Sequence, residues 1–316
     1  MELLIRTFFL SIVLIAFFVY PITGSTEELL IQEEYEYLGK KLSPTTFMTC
    51  RGEELVIGKG KIKATIRMCK GEELILFASG TIKGKVTFAG AVPPPKEFAF
   101  SKFPNVDFCK KNESKSADGN TRLLKEVEVD GSKGLKNAVV AVTDIQDKAF
   151  IDKSGKEAPQ LVEAELCEFK PYTGVAVSKG MFKVVNNDAD PSDPKSAEGV
   201  LHNPHSFDQL GAKSSTEFNI GLAKKGDSLE KSVKLKMSKK GSVLRLQCDQ
   251  HEFMQGWYLP VTNAHYAVAS TDGTFEIKDV PAGKHKVKAW HPIAGEVEAD
   301  VEVKAGESVE ANFEIK

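Results

Sequence analysis

The sequence has no excess of charge of either sign: 42 lysines and arginines nearly cancel 44 aspartates and glutamates, leaving a formal net charge of −2. A nucleic-acid binder carries a strongly basic domain or stripe, so no nucleic-acid partner is expected. Proline is sparse at 14 of 316 residues, and 41% hydrophobic with 27% charged content describes a globular chain, not a disordered one. There is no Gly-x-Ser-x-Gly elbow, no His-Glu-x-x-His pair and no Walker-type phosphate loop. Enzymes that depend on those motifs are thereby set aside, and the chain is read as a non-enzyme. Helical periodicity is scarce: only residues 25–38 offer a weak helix, and past the N-terminus no run is apolar enough to span a membrane. Cysteine (five) and histidine (six) are few enough to weigh one by one.

What is present begins with an apolar start. Residues 7–20 (TFFLSIVLIAFFVY) follow Arg6 and stop at Pro21, with small residues at Thr23, Gly24 and Ser25. An apolar core of about 14 residues matches a secretory signal and falls short of the roughly 20 that a spanning helix needs. The expectation is a signal over residues 1–24, no membrane span in the mature chain, and a place outside the cytoplasm, in the periplasm or at the cell envelope. An uncleaved anchor is the alternative.

Export changes what the cysteines mean, because thiols pair in an oxidising compartment. Cys50 and Cys69 open two copies of one phrase, Cys50-Arg-Gly-Glu-Glu-Leu-Val-Ile and Cys69-Lys-Gly-Glu-Glu-Leu-Ile-Leu, which reads as two similar strands joined by a Cys50–Cys69 bond. Cys109 and Cys167, each expected beside a strand, form the second expected pair. Four cysteines allow three connectivities. The odd number leaves Cys248 as the free thiol.

The rest is a series of short runs that alternate apolar and polar residues between Gly, Asp, Asn and Pro turns, the pattern of half-buried strands. Their regular spacing predicts an all-β sandwich. Residues 80–93 with 135–142, and residues 271–316, resemble the opening and closing strands of a carboxypeptidase-regulatory-like, transthyretin-type sandwich. The resemblance is carried by Ile82-Lys-Gly-Lys-Val86, Asn137-Ala-Val-Val-Ala-Val142 and the hairpin from Thr271 to Val287, with its Asp272-Gly273 and Pro281-Ala-Gly283 turns. It implies that the intervening stretch is a second domain, inserted in the first or adjacent to it. The expected order is a duplicated β segment (25–78), the first sandwich part (79–157), the intervening domain (158–263) and closing strands (264–316). Polar loops are expected at 110–120 and 188–199.

The chemistry is concentrated in that intervening stretch. A strand-like run ends on Cys248 and continues as Asp249-Gln-His251-Glu-Phe-Met254, a Cys-x2-His-x2-Met spacing. Upstream lies His202-Asn-Pro-His205. One thiolate, two imidazoles and a weak thioether are the ligand set of a blue-copper electron-transfer site. The soft sulfurs hold Cu(I), and the imidazoles suit both oxidation states. The loop resembles that of the cupredoxin family, with spacing similar to amicyanin, over residues 166–261. This resemblance implies a Greek-key β-sandwich and one type 1 copper, held by His202, Cys248, His251 and Met254. Asn203 would tie the ligand loops together from behind, and His205 would not be a ligand. Glu252 stands where such loops often carry proline, and the insertion at 188–199 puts the aim of His202 in question. Methionine argues against structural zinc, which prefers four closed Cys or His ligands. Six histidines are too few for a multicopper oxidase, and Gln247-Cys248-Asp249 lacks the His-Cys adjacency of a copper nitrite reductase.

The function expected is a one-electron carrier that uses a partly exposed His251 edge near Phe253, with an exported c-type cytochrome or dehydrogenase as redox partner. A copper-binding docking or assembly module is the rival. His265, His285 and His291 are expected to be ordinary surface residues.

Overall fold

Alternation along Ser242–Cys248 shows how the chain builds its layers. Leu244, Leu246 and Cys248 are fully buried on one face, while Arg245 and Gln247 between them are half-buried on the other. The computed structural model describes residues 79–235 and 241–316. The apolar start, the weak helix at 25–38 and the Cys50/Cys69 duplication lie outside the described residues.

The described residues divide into two units: 79–83 with Glu276–His285 and Asp300–Ala311, and Gly84–Phe275 with Lys286–Ala299 and Asn312–Lys316. In the first, Thr81, Ile82 and Lys83 pair in parallel with Ser308, Val309 and Glu310, and Ile82, Ile277 and Val280 are buried.

The second unit holds a β-sandwich of two sheets. Its strands are β1 (Leu161–Ala164), β2 (Phe169–Lys170), β3 (Thr173–Ala176), β4 (Met181–Asn186), β5 (Pro204–Leu210), β6 (Lys213–Asn219), β7 (Ser228–Ser232), β8 (Ser242–Cys248) and β9 (Gln255–Pro260). One sheet runs β2-β1-β4-β7, the other β3-β9-β8-β5-β6. Phe169, Phe182, Val184, Leu244, Leu246 and Tyr258 fill the space between them. The far face of the five-stranded sheet is also covered: Val175, Val243, Leu259 and Val261 pack with Val139, Ala141 and Trp290. Covering both faces explains why Thr173–Ala176 and Val139–Val142 are buried at every position and do not alternate. The all-β sandwich expected from the sequence is therefore the architecture found.

Two short α-helices occur among the described residues, Val106–Cys109 and Lys148–Ser154, where no helix was expected. The first is a single turn, too short to show a 3.6-residue pattern. The second starts on Asp147, whose carboxylate accepts the Phe150 amide at 3.1 Å. Lys96–Ala99 and Thr121–Leu124 form an antiparallel ladder, and residues 100–120 between them lie against the sandwich core through Phe100, Phe108 and Cys109.

Candidate metal centre

β8 delivers Cys248 to the end of the five-stranded sheet, and the loop that follows folds back on it. The Met254 amide donates to the His251 carbonyl (2.8 Å), and the Cys248 amide donates to the Met254 carbonyl (3.1 Å). This tight return brings His251 Nδ1 to 3.8 Å from Cys248 Sγ. In the neighbouring strand, Pro204 is paired with Cys248, and His202 lies two residues earlier. Reciprocal backbone bonds with Leu222 (3.1 and 2.7 Å) hold His202, and its Nδ1 stands 4.0 Å from the same sulfur. His202, Cys248, His251 and Met254 are all 0% exposed.

In both imidazoles Nδ1 faces the sulfur and Nε2 is occupied elsewhere. His251 Nε2 lies 3.2 Å from the Pro104 carbonyl, which can only accept, so Nε2 carries a proton and Nδ1 is the nitrogen turned toward Cys248. His202 Nε2 lies 2.8 Å from Asp188 Oδ2, which leaves its Nδ1 in the same role. Burial would push the Cys248 thiol up, but hydrogen bonds and charge from His202 and His251 outweigh it and bring the pKa down to about 6. Burial pulls His202 down, yet Asp188 and Cys248 raise it on balance. The Cys248 sulfur and the Nδ1 atoms of His202 and His251 thus converge in a buried space, and the protons they share in the metal-free chain are the ones a bound cation would displace. The donor set fits copper: one soft thiolate, two imidazoles and a buried methionine on the same loop.

Asn203 joins the two ligand segments through its backbone. Its amide donates to Cys248 Sγ (3.3 Å) and its carbonyl accepts from the Asp249 amide (3.1 Å), while its side-chain Oδ1 is buried with no hydrogen-bond partner. His205, one pleat further along β5, lies apart from the cluster. Its Nδ1 is 3.1 Å from Asp249 Oδ1 and its Nε2 is 3.0 Å from Thr216 Oγ1. Glu252 is exposed, next to the buried His251.

Three features escaped the sequence reading. His251 was expected to show an exposed edge and is instead closed over. Residues 96–124 lie across it, with Phe98, Phe100 and Phe103 set around Phe253 at 6.1, 5.9 and 5.1 Å and Arg122 over the same ring at 5.6 Å. Cys109 and Cys167 are joined in a disulfide, but Cys109 ends a helical turn and Cys167 sits in the β1–β2 turn. Their sulfurs lie within 4.8 Å of a His251 ring nitrogen. Finally, Asp188, expected on a polar loop, is buried against His202. Only the Asp-x13-His separation hinted at it, and such pairs are too common to read. His291 is a further correction: it is buried, not a surface residue.

No protein-family model matches the chain, and no curated protein matches it. Among solved structures, a copper-containing nitrite reductase (NirK) from Thermus scotoductus SA-01 is 17% identical with a TM-score of 0.25, covering 33% of this chain and 23% of that one. A purple cupredoxin from Nitrosopumilus maritimus is 17% identical with a TM-score of 0.23, covering 32% of this chain and 97% of that one. Likeness at this level is too slight to carry weight, so the functional reading rests on the geometry of the centre itself.

Proposed function

We propose that the chain is an exported type 1 copper protein that passes single electrons between redox proteins, with His202, Cys248 and His251 as ligands and Met254 as the weak axial sulfur. The observation that carries this reading is the convergence of Cys248 Sγ with two imidazole Nδ1 atoms, at 4.0 and 3.8 Å, whose other nitrogens are already engaged. Copper bound there supplies a one-electron Cu(II)/Cu(I) couple. The protein's part is to hold the ligands still. Asp188 and the Pro104 carbonyl fix the rings, the hairpin return fixes Cys248 against His251, and residues 96–124 keep water out. A centre closed in this way suits electron transfer through protein atoms better than catalysis on a bound substrate. The apolar start and the disulfide support a compartment outside the cytoplasm, where a c-type cytochrome or a dehydrogenase is the fitting partner. The closed lid also favours a second reading, a copper-holding docking or assembly module; fast electron self-exchange would argue for the carrier, and slow exchange for the module.

The test is the optical and EPR spectrum of the purified chain titrated with Cu(II), beside Cys248→Ala. An intense visible thiolate-to-copper band with narrow copper hyperfine splitting, absent in the variant, is expected. A pale, ordinary copper spectrum that survives C248A overturns the reading.

A further inference from the structure

We infer that Asp188 is the positioning residue of the centre, aiming His202 at the metal and tying that ligand to the disulfide-bearing turn; the inference rests on the copper reading above. A buried carboxylate must be satisfied by donors, and Asp188, 2% exposed, has three. Oδ2 accepts from His202 Nε2 (2.8 Å) and from the Cys167 amide (2.9 Å), and Oδ1 accepts from the Leu166 amide (2.6 Å). The two amides come from consecutive residues in the left-handed region, with φ of 51° and 53°. That conformation is uncommon for residues other than glycine, and here it turns both N–H groups onto one carboxylate, a concave anion cradle.

Asp188 is itself held. Its amide donates to Asn186 Oδ1 (2.9 Å), and its carbonyl accepts from Val200 (3.0 Å). Asn186, fully buried, also donates to the carbonyls of Val200 (2.8 Å) and Leu222 (3.0 Å), and Leu222 is the residue that grips the His202 backbone. Carboxylate and imidazole are therefore braced by the same few residues. The path continues from Cys167 through the disulfide to Cys109, along the helical turn Val106–Cys109 and on to the Pro104 carbonyl that holds His251. The two imidazoles sit at opposite ends of one cross-linked path. A carboxylate on the far nitrogen orients a ligating imidazole and makes it more basic, which favours Cu(II) over Cu(I).

Asp188→Asn keeps the shape and removes the charge. The D188N chain is expected to retain the visible thiolate-to-copper band, to bind Cu(II) 10–100-fold more weakly, and to show a higher reduction potential. Each tenfold that falls on Cu(II) alone raises the potential by about 59 mV. Asp188→Glu should restore part of both. The Cys109→Ser/Cys167→Ser double variant, which loosens the same turn but keeps the carboxylate, should shift the potential less than D188N. Affinity and potential within twofold and unshifted in a D188N chain that keeps its band overturn the inference, as does a double variant that reproduces the whole shift. If D188N fails to fold, long-range proton–nitrogen NMR of the copper-free parent decides: the Nε2–H tautomer of His202 supports the role, and the Nδ1–H tautomer refutes it. A parent chain with no thiolate-to-copper band sinks the copper reading instead, and the tautomer measurement still stands on its own.

Discussion

Two histidines in the larger unit are equally hidden, His202 at 0% and His291 at 1% exposure, yet the protein treats them in opposite ways. At His291 the strand Gly283–His291 turns back, and Nδ1 accepts the amides of Ile293 (3.3 Å) and Ala294 (3.1 Å). Burial there pushes the pKa down to about 4. At His202 the fold engages Nε2 with a carboxylate and leaves Nδ1 facing a sulfur, and the pKa moves up. Burial alone therefore makes a neutral structural histidine. What would suit a buried histidine to a metal is which nitrogen the fold takes for itself and whether a donor or an acceptor takes it. A lone pair already spent on turn amides cannot be offered to a metal.

The comparison can be pressed hardest at the disulfide. The Cys109–Cys167 bond spans 58 residues and lies on the side of His202 and His251, not that of His291. Chain-entropy arithmetic for a loop of that length gives about 4 kcal/mol of stability. Cys109→Ser with Cys167→Ser should cost about that much in urea unfolding of the copper-free chain. In the same variant, amide hydrogen exchange at Leu166 and Cys167 should speed up while Ile293 and Ala294 keep their protection. A loss under about 1 kcal/mol, or equal loosening of both turns, would erase the distinction between a cross-linked ligand region and a self-sufficient structural one.

Next in size is the pH dependence. His291 has a folded pKa of about 4 against an ordinary value of 6.5, so the unfolded chain binds the proton more readily. Its contribution to stability is full above pH 6.5 and is lost as pH falls through about 4, with a ceiling of about 3 kcal/mol at 1.36 kcal/mol per unit. His291→Asn keeps an oxygen to accept the two amides and removes the titration. Stability of the parent and H291N measured from pH 7 to pH 4 should diverge across that window, with the parent losing more. Parallel curves would mean that His291 is protonated without penalty.

The features legible in the sequence were the ones written in short spacings. Cys248 and His251 share one loop, so their side chains are brought together by chain geometry, and the alternation of Leu244, Leu246 and Cys248 is a local property of one strand. The groups that hold the His202 and His251 rings could not be read this way. Pro104 contributes a carbonyl, which every residue has. Asp188 lies among serines, prolines and acids that read as a solvated loop, and only the left-handed turn at Leu166 and Cys167 gives its carboxylate a buried place. Pairing Cys50 with Cys69 left Cys109 and Cys167 as the second expected pair, but nothing in the chain set them beside His251. His291 was misread because residues 289–291 are buried without alternation, where the hairpin end is covered on both sides.

The smallest effect is expected where the sequence offered two nearly equal choices, His202 and His205. They stand three residues apart, and either satisfies the ligand chemistry on paper. The strand separates them: Pro204 and Ser206 are buried, while His205 between them faces Asp249, Thr216 and Asn219 on a half-open surface. Both of its nitrogens are taken by side chains, and its contact with Asp249 is partly exposed, a surface contact of the kind worth about 0–1 kcal/mol. His205→Gln should leave the visible band, the hyperfine splitting and the reduction potential unchanged and cost under about 1 kcal/mol. His202→Gln should abolish the band. If H205Q bleaches the copper and H202Q does not, the ligand has been assigned to the wrong histidine, and the carboxylate on His202 would then mark a structural pair, closer in kind to His291 than to His251.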